Sequence, residues 1–382
     1  MRPTWAEINI SNLRENYRNI KKLVKEDTKI CGVVKANAYG HGSVYIAKVL
    51  VEEGVDYLAV ATLEEALELR LNHITIPILC LGYINETDIQ IALNQDIDIT
   101  VYSYNMAKNI SKLAKNLNKK CNIHIKIDTG MSRLGFKANN ETVEIIEKIY
   151  SLPEINIVGI YTHFARADEI DKTFTHSQFE EFMYIIDKLK EKNIKIPIKH
   201  AANSAALIDL PQYHLDMVRP GIILYGHYPS EDVNKEKIDL KPVMSLKTKV
   251  SNIKVLDSKR GVGYGHAYVT SENEKIATLP IGYADGFTRM LSLSADVKIN
   301  GKKFPVVGRI CMDQCMIQVN NANIKVGDEV LIFGEDEDLR IERFGKILKT
   351  INYELLCMVS RRVPRVYLEG NRVLHILDYL LK

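Results

Sequence analysis

Between about residue 28 and residue 225 one pattern recurs eight times: a short apolar run, then a longer stretch with apolar residues at helical spacing and charges opposite. The runs fall at 30–35, 57–62, 76–82, 97–103, 122–128, 157–163, 196–201 and 215–219, and stretches such as 63–72 and 174–193 read as helices between them. Eight strand–helix units in series predict an α/β fold of the closed (β/α)8 kind. Lys35, Arg133, His163, Ser204 and Arg219 each stand at or just after the end of a run. On such a barrel that end carries the chemistry, and the opposite rim serves stability.

Past about residue 235 the pattern changes to short, often alternating runs at 243–255, 275–281, 295–299, 304–307, 311–319 and 329–333, with Gly or Asn turns between them. The Asn300-Gly301 pair is a hairpin signal. A mostly β second domain over 236–382 is therefore expected behind a barrel over 1–235, as suits a chain too long for one core. Residues 4–10 also alternate, which is compatible with an extra strand in that distant domain.

A formal charge of +3, with no basic block, gives no support for nucleic-acid binding. No run is long enough to span a membrane, and the first residues lack an apolar signal core. Cys31, Cys80, Cys121, Cys311, Cys315 and Cys357 are scattered, mostly in apolar surroundings and without ligand-type spacing to histidine. Free thiols, no metal and a reducing cytoplasm are the expectation.

The segment Val33-Val34-Lys35-Ala36-Asn37-Ala38-Tyr39-Gly40-His41-Gly42 delivers a lysine from a buried run into a turn rich in small residues. An amine at the end of a barrel strand can be desolvated, lowered in pKa and used as a Schiff-base nucleophile. The plain alternative is a surface lysine at a strand end, which the apolar run and specialised turn disfavour.

This segment closely resembles the pyridoxal-phosphate attachment site of alanine racemases, barrel-type (fold type III) enzymes. The likeness runs through Lys126-Ile127-Asp128-Thr129-Gly130-Met131-Ser132-Arg133-Leu134-Gly135, Gly261-Val262-Gly263-Tyr264-Gly265-His266, Gly308-Arg309-Ile310-Cys311-Met312-Asp313-Gln314 and Ile351-Asn352-Tyr353-Glu354. It implies pyridoxal 5'-phosphate as cofactor, with Lys35 as the aldimine lysine and one catalytic base, and Tyr264 as the other. It further implies a phosphate cradle from Asn203, Ser204, Gly221 and Ile222, joined by Tyr39 and Tyr353. Arg219 would face the ring nitrogen, and His163 would link it to Tyr264. Arg133 and the Met312 backbone would meet the substrate carboxylate, and Lys126 would be carbamylated to hold Arg133. The working unit implied is a head-to-tail homodimer sharing its sites, interconverting L- and D-alanine for peptidoglycan.

Each residue also has a plainer reading: turn formers for Ser204 and Gly221, a barrel-closing ion pair for Arg219, and a lysine paired with an acid for Lys126. The chemistry of Arg219 nonetheless fits racemisation. With a pKa above about 12 it cannot readily supply a proton, so a ring nitrogen facing it stays unprotonated and the electron sink stays weak. That favours prompt return of the proton to Cα. A free tyrosine is only about 0.1% ionised at pH 7, so Tyr264 would need a cationic neighbourhood to act as a base.

Rival readings are a barrel-type amino-acid decarboxylase, disfavoured by Arg219 where a carboxylate is usual, a serine or broad-specificity racemase, and a non-catalytic cofactor carrier, which would lack the second domain. Two positions depart from the family pattern: Arg166, which would add positive charge near the entrance, and Gln318, where an acid is common.

Overall fold

The computed structural model describes residues 2–381, and the chain divides into two compact units. The first comprises residues 14–38 and 43–240; the second comprises residues 1–13, 39–42 and 241–382.

In the first unit, eight parallel strands follow one another around a barrel: β1 (Lys29–Val33), β2 (Tyr57–Val60), β3 (Ile78–Cys80), β4 (Asp98–Val101), β5 (Cys121–Asp128), β6 (Ile155–Tyr161), β7 (Ile198–His200) and β8 (Met217–Val218). Strand β8 pairs with β1, and the ring closes through Asp216 N–H to Lys199 O and Arg219 N–H to Ala202 O, each 3.0 Å. All eight expected runs contain strands; seven stop one or two residues early, the fifth runs to Asp128 as expected, and β1, β5 and β6 begin one or two residues sooner than expected. The first stops at Val33 rather than Lys35, because the backbone turns there.

Several of the intervening helices start where side chains satisfy their first N–H groups. Thr62 and Glu65 form a reciprocal capping box on the helix Leu63–Leu71. Ser103 and Asn139 cap Tyr104–Asn116 and Asn140–Tyr150. The expected long helix is Thr173–Glu191. The apolar faces of these helices bury Ala66, Leu69, Ile110, Ile146 and Phe182, each large side chain contributing about 1.5–3 kcal/mol.

The second unit is built on a ten-stranded sheet with a short two-stranded hairpin beside it. Trp5–Asn9 does join this sheet, antiparallel to Met244–Lys249 and parallel to Arg365–Glu369. Asn300 and Gly301 make the tight turn between Asp296–Ile299 and Lys302–Val307, both with positive φ. Two expectations need correction. The run at 243–255 is two strands, Met244–Lys249 and Asn252–Leu256, interrupted where Val250 and Ser251 leave the ladder. The run at 311–319 becomes a strand only at Cys315–Gln318, because the carbonyls of Cys311 and Met312 accept from Tyr283 and Ala284 in a loop. The hairpin Arg365–Glu369 to Arg372–Leu377, turning at Gly370, was not anticipated.

Among the described residues none of the six cysteines is in a disulfide, and four of them are buried. No helix among them is long and apolar enough to cross a membrane.

Candidate active site

Parallel strands place their C-terminal ends on one face of the barrel, and the candidate residues of this unit cluster there. Lys35 follows β1 and is partly buried. The chain then does something the sequence gives no hint of: Ala36, Asn37, Ala38 and Tyr39 all take left-handed angles, φ between 51° and 56°. For side-chain-bearing residues this costs roughly 1–2 kcal/mol each, so neighbours must impose it. Glu65 does so, its Oε1 accepting from Ala36 N–H at 2.6 Å while Oε2 accepts from Ala61 N–H at 2.8 Å. Asn37 Oδ1 accepts from Ser43 N–H at 3.0 Å. The lysine is thereby fixed at the mouth of the barrel.

Inside the barrel the finding is unexpected. Barrel interiors are usually filled by branched apolar side chains, yet here a file of polar groups runs through the core. Strand alternation turns His124 and Lys126 of β5 to one face, and Asp98 and Thr100 of β4 likewise. These residues, with Tyr161, His200 and Arg219, are all buried. Arg219 donates to Thr162 O (2.8 Å) and Ala201 O (3.1 Å) and lies 3.0 Å from His200 Nδ1.

Because guanidinium only donates, His200 Nδ1 must accept. Burial, then Arg219, hold the His200 pKa well below its ordinary value, so the ring is neutral and its hydrogen sits on Nε2. That hydrogen faces His124 Nδ1 at 3.0 Å; His124 Nε2 lies 3.5 Å from Asp98 Oδ2 with no hydrogen bond between them. Gly159 makes room: a Cβ there would lie 2.1 Å from His124 Nδ1.

Tyr161 stacks on His200 with ring centroids 4.7 Å apart. Lys126 Nζ and Arg219 Cζ lie 5.2 and 5.3 Å from its ring centre. Thr100 Oγ1 spends its hydrogen on Cys80 O and so accepts from Tyr161.

Lys126 Nζ donates to Ile127 O at 2.7 Å. Burial, then the Arg219 charge, bring its pKa down to about 7. Its plain reading, a lysine paired with an acid, is not what is found. Burial, then Arg219 and Lys126, likewise hold His163 well below its usual range, so it is neutral; its Nδ1 is 3.4 Å from Arg219. Arg219 itself is lowered by burial to about 10, still cationic at neutral pH.

The two loops expected to cradle phosphate are tied together: Gly221 N–H donates to Ser204 Oγ at 2.9 Å, with Ile222 next in chain. Asn203 is occupied as a cap, its Oδ1 accepting from Ala206 N–H at 3.1 Å. Arg133 is exposed on the loop after β5. Arg166 is exposed but pairs with Glu169 through Nε at 2.7 Å, so the positive charge expected near the entrance is offset.

In the second unit Tyr39 is buried, its centroid 6.0 Å from that of Tyr353. Burial raises its phenol pKa. Tyr264 is 67% exposed on a short turn. It and Cys311 line a cavity of about 530 Å³. The Met312 carbonyl accepts from Ala284 N–H at 3.1 Å, while its own N–H has no partner among the described residues. Asp313 is bound to Arg362 at 2.7 Å.

The profile of the alanine racemase N-terminal domain matches residues 8–229, and that of the C-terminal domain matches residues 243–367. The alanine racemase of Methanococcus maripaludis is 54% identical over 369 residues, covering 96% of this chain and 99% of the relative. Among solved structures, alanine racemase of Clostridium difficile superposes with a TM-score of 0.97 at 51% identity, over 100% of this chain and 99% of that one. That of Bacillus anthracis with bound L-Ala-P gives 0.95 at 36% identity, with the same coverage.

Proposed function

The chain belongs to the alanine racemase family, a family of isomerases dependent on pyridoxal 5'-phosphate, and from that premise we propose how its own residues share the interconversion of L- and D-alanine. When bound, the cofactor supplies an electron-withdrawing ring conjugated to the amino group of alanine, which acidifies the Cα–H.

Lys35 would hold the cofactor through its amine, and the same amine would move the Cα proton on one face. Tyr264 serves the other face. Arg219, Ser204, Gly221 and Ile222 bind the cofactor from the barrel; Asn203 shapes the phosphate loop; Tyr39 and Tyr353 complete the binding set. Arg133 and the Met312 N–H, which has no partner among the described residues, orient the substrate carboxylate. His163, neutral and beside Arg219, relays polarisation toward Tyr264.

The residues present fit the group. A fixed, buried cation stands at the catalytic end of the barrel, and two loops joined through Ser204 Oγ and Gly221 N–H stand beside it. Lys126, near-neutral at physiological pH, is suited to carbamylation, since the product anion would sit among the charges of Arg219 and Arg133.

The working unit is a homodimer in which Tyr264 comes from the second copy, a reading supported by the exposure of Tyr264 and Met312. The D-alanine formed feeds peptidoglycan precursors in the cytoplasm, a compartment that suits six cysteines outside any disulfide.

The observation that carries the reading is Lys35 at the end of β1, on the same barrel face as Arg219 and the Ser204–Gly221 link. The test is α-deuterium uptake from D2O. Tyr264→Phe should abolish exchange from L-alanine while D-alanine still exchanges through Lys35. Equal losses for the two enantiomers would reject the two-base assignment.

A further inference from the structure

Tyr264 makes no hydrogen bond among the described residues and stands between two glycines with positive φ, Gly263 at 69° and Gly265 at 67°. Its placement therefore depends on the hairpin that carries it. That hairpin is slight: two residue pairs, Gly261 with Val269 and Val262 with Tyr268. A ladder of this size is not stable by itself.

Two things hold it. Val262 packs with Ile276 and Val307, backed by Leu256, Tyr268 and Met316. The second is a polar knot. Tyr268 OH donates to Glu274 Oε2, and Gln318 Nε2 lies 2.6 Å from the same oxygen and 3.0 Å from Tyr268 OH. The other oxygen of Glu274 accepts from Ser271 N–H at 2.9 Å.

Glu274 is 1% exposed and has no salt-bridge cation among the described residues. A buried carboxylate held only by neutral donors is costly to disturb, since each lost donor leaves charge unsolvated. Burial, then Glu274, push the Tyr268 phenol up to about 12, so it remains a donor. Gln318 is the position where the family resemblance gives an acid. A second carboxylate there could not donate to Glu274, whereas this amide does.

We propose that Tyr268, Glu274 and Gln318 are positioning residues for racemisation: together they clamp the hairpin so that the Tyr264 hydroxyl is presented at the height and angle proton transfer requires. This rests on the reading of Tyr264 as the second base. The knot reaches Tyr264 through only three intervening residues, 265 to 267. Misplacement of a reacting group by about 1 Å can cost roughly 10²-fold in rate.

The test compares α-deuterium uptake into L- and D-alanine by holoenzyme carrying Tyr264→Phe, Tyr268→Phe or Gln318→Asn, the last a one-methylene shortening that retains the amide. Loss of the clamp should slow exchange from L-alanine roughly tenfold more than from D-alanine, a muted copy of Tyr264→Phe. A merely structural loss would lower both enantiomers in step. Asymmetry in Tyr264→Phe without asymmetry in Tyr268→Phe or Gln318→Asn overturns the clamp and spares the base. Symmetric loss in Tyr264→Phe overturns the base and the clamp with it.

Discussion

Arg219 Nη1 and His200 Nδ1 meet at 3.0 Å in the barrel core, and that contact fixes which ring nitrogen of His200 accepts. Because a guanidinium only donates, His200 accepts at Nδ1 and donates through Nε2 to His124, whose own Nε2 lies 3.5 Å from Asp98. The arginine is thus a fixed cation at the catalytic face, backed by a buried file of side chains.

Replacing that cation with a carboxylate should change the course of the reaction as well as its speed. With Arg219→Glu, a protonated ring nitrogen becomes favourable, the electron sink strengthens and the Cα proton returns less faithfully. Racemisation should fall by roughly 10²-fold or more, and the share of turnovers ending in pyruvate should rise when measured with a coupled lactate dehydrogenase assay. An unchanged product ratio would contradict the role of Arg219.

Gly159 matters for the same file. The Cβ of Gly159→Ala would enter the space of His124 Nδ1, 2.1 Å away, and part it from His200. Overpacking of this kind costs about 1–3 kcal/mol. The urea midpoint should drop accordingly and kcat should fall with it, as Arg219 loses its support. A variant with an unchanged midpoint would show that the file is slack.

Lys126 supplies a pH test. Its amine, depressed to about 7, is charged below that pH and neutral above it. Only the neutral amine adds CO2, so a carbamate signal from ¹³C-bicarbonate should grow between about pH 6 and pH 8 and be missing from Lys126→Met. A wild-type spectrum without that signal at pH 8 would leave Lys126 as an amine bound to Ile127 O.

The eight barrel strands were legible because each is a short apolar run between amphipathic helices, and the candidate residues at strand ends followed from where a barrel does chemistry. Asp98, Thr100, His124 and His200 were passed over although their alternation within those runs was visible. A polar residue inside an apolar run reads as a misfit until its partners on three other strands are known. The left-handed turn after Lys35 had no local signature, because Ala36, Asn37, Ala38 and Tyr39 carry side chains that ordinarily avoid positive φ. Glu65, distant in sequence, imposes it. The Gly370 hairpin was legible in principle, a Gly-Asn pair between two alternating runs. The break at Val250 and Ser251 was not, since those residues leave their ladder to bond with Asp328 and Thr278.

The account stands on Lys35 as the amine that holds the cofactor. Borohydride reduction of the purified yellow enzyme, followed by peptide mapping, should place the fixed cofactor on the peptide containing Lys35, and Lys35→Ala should carry none. A cofactor fixed on any other lysine would contradict it.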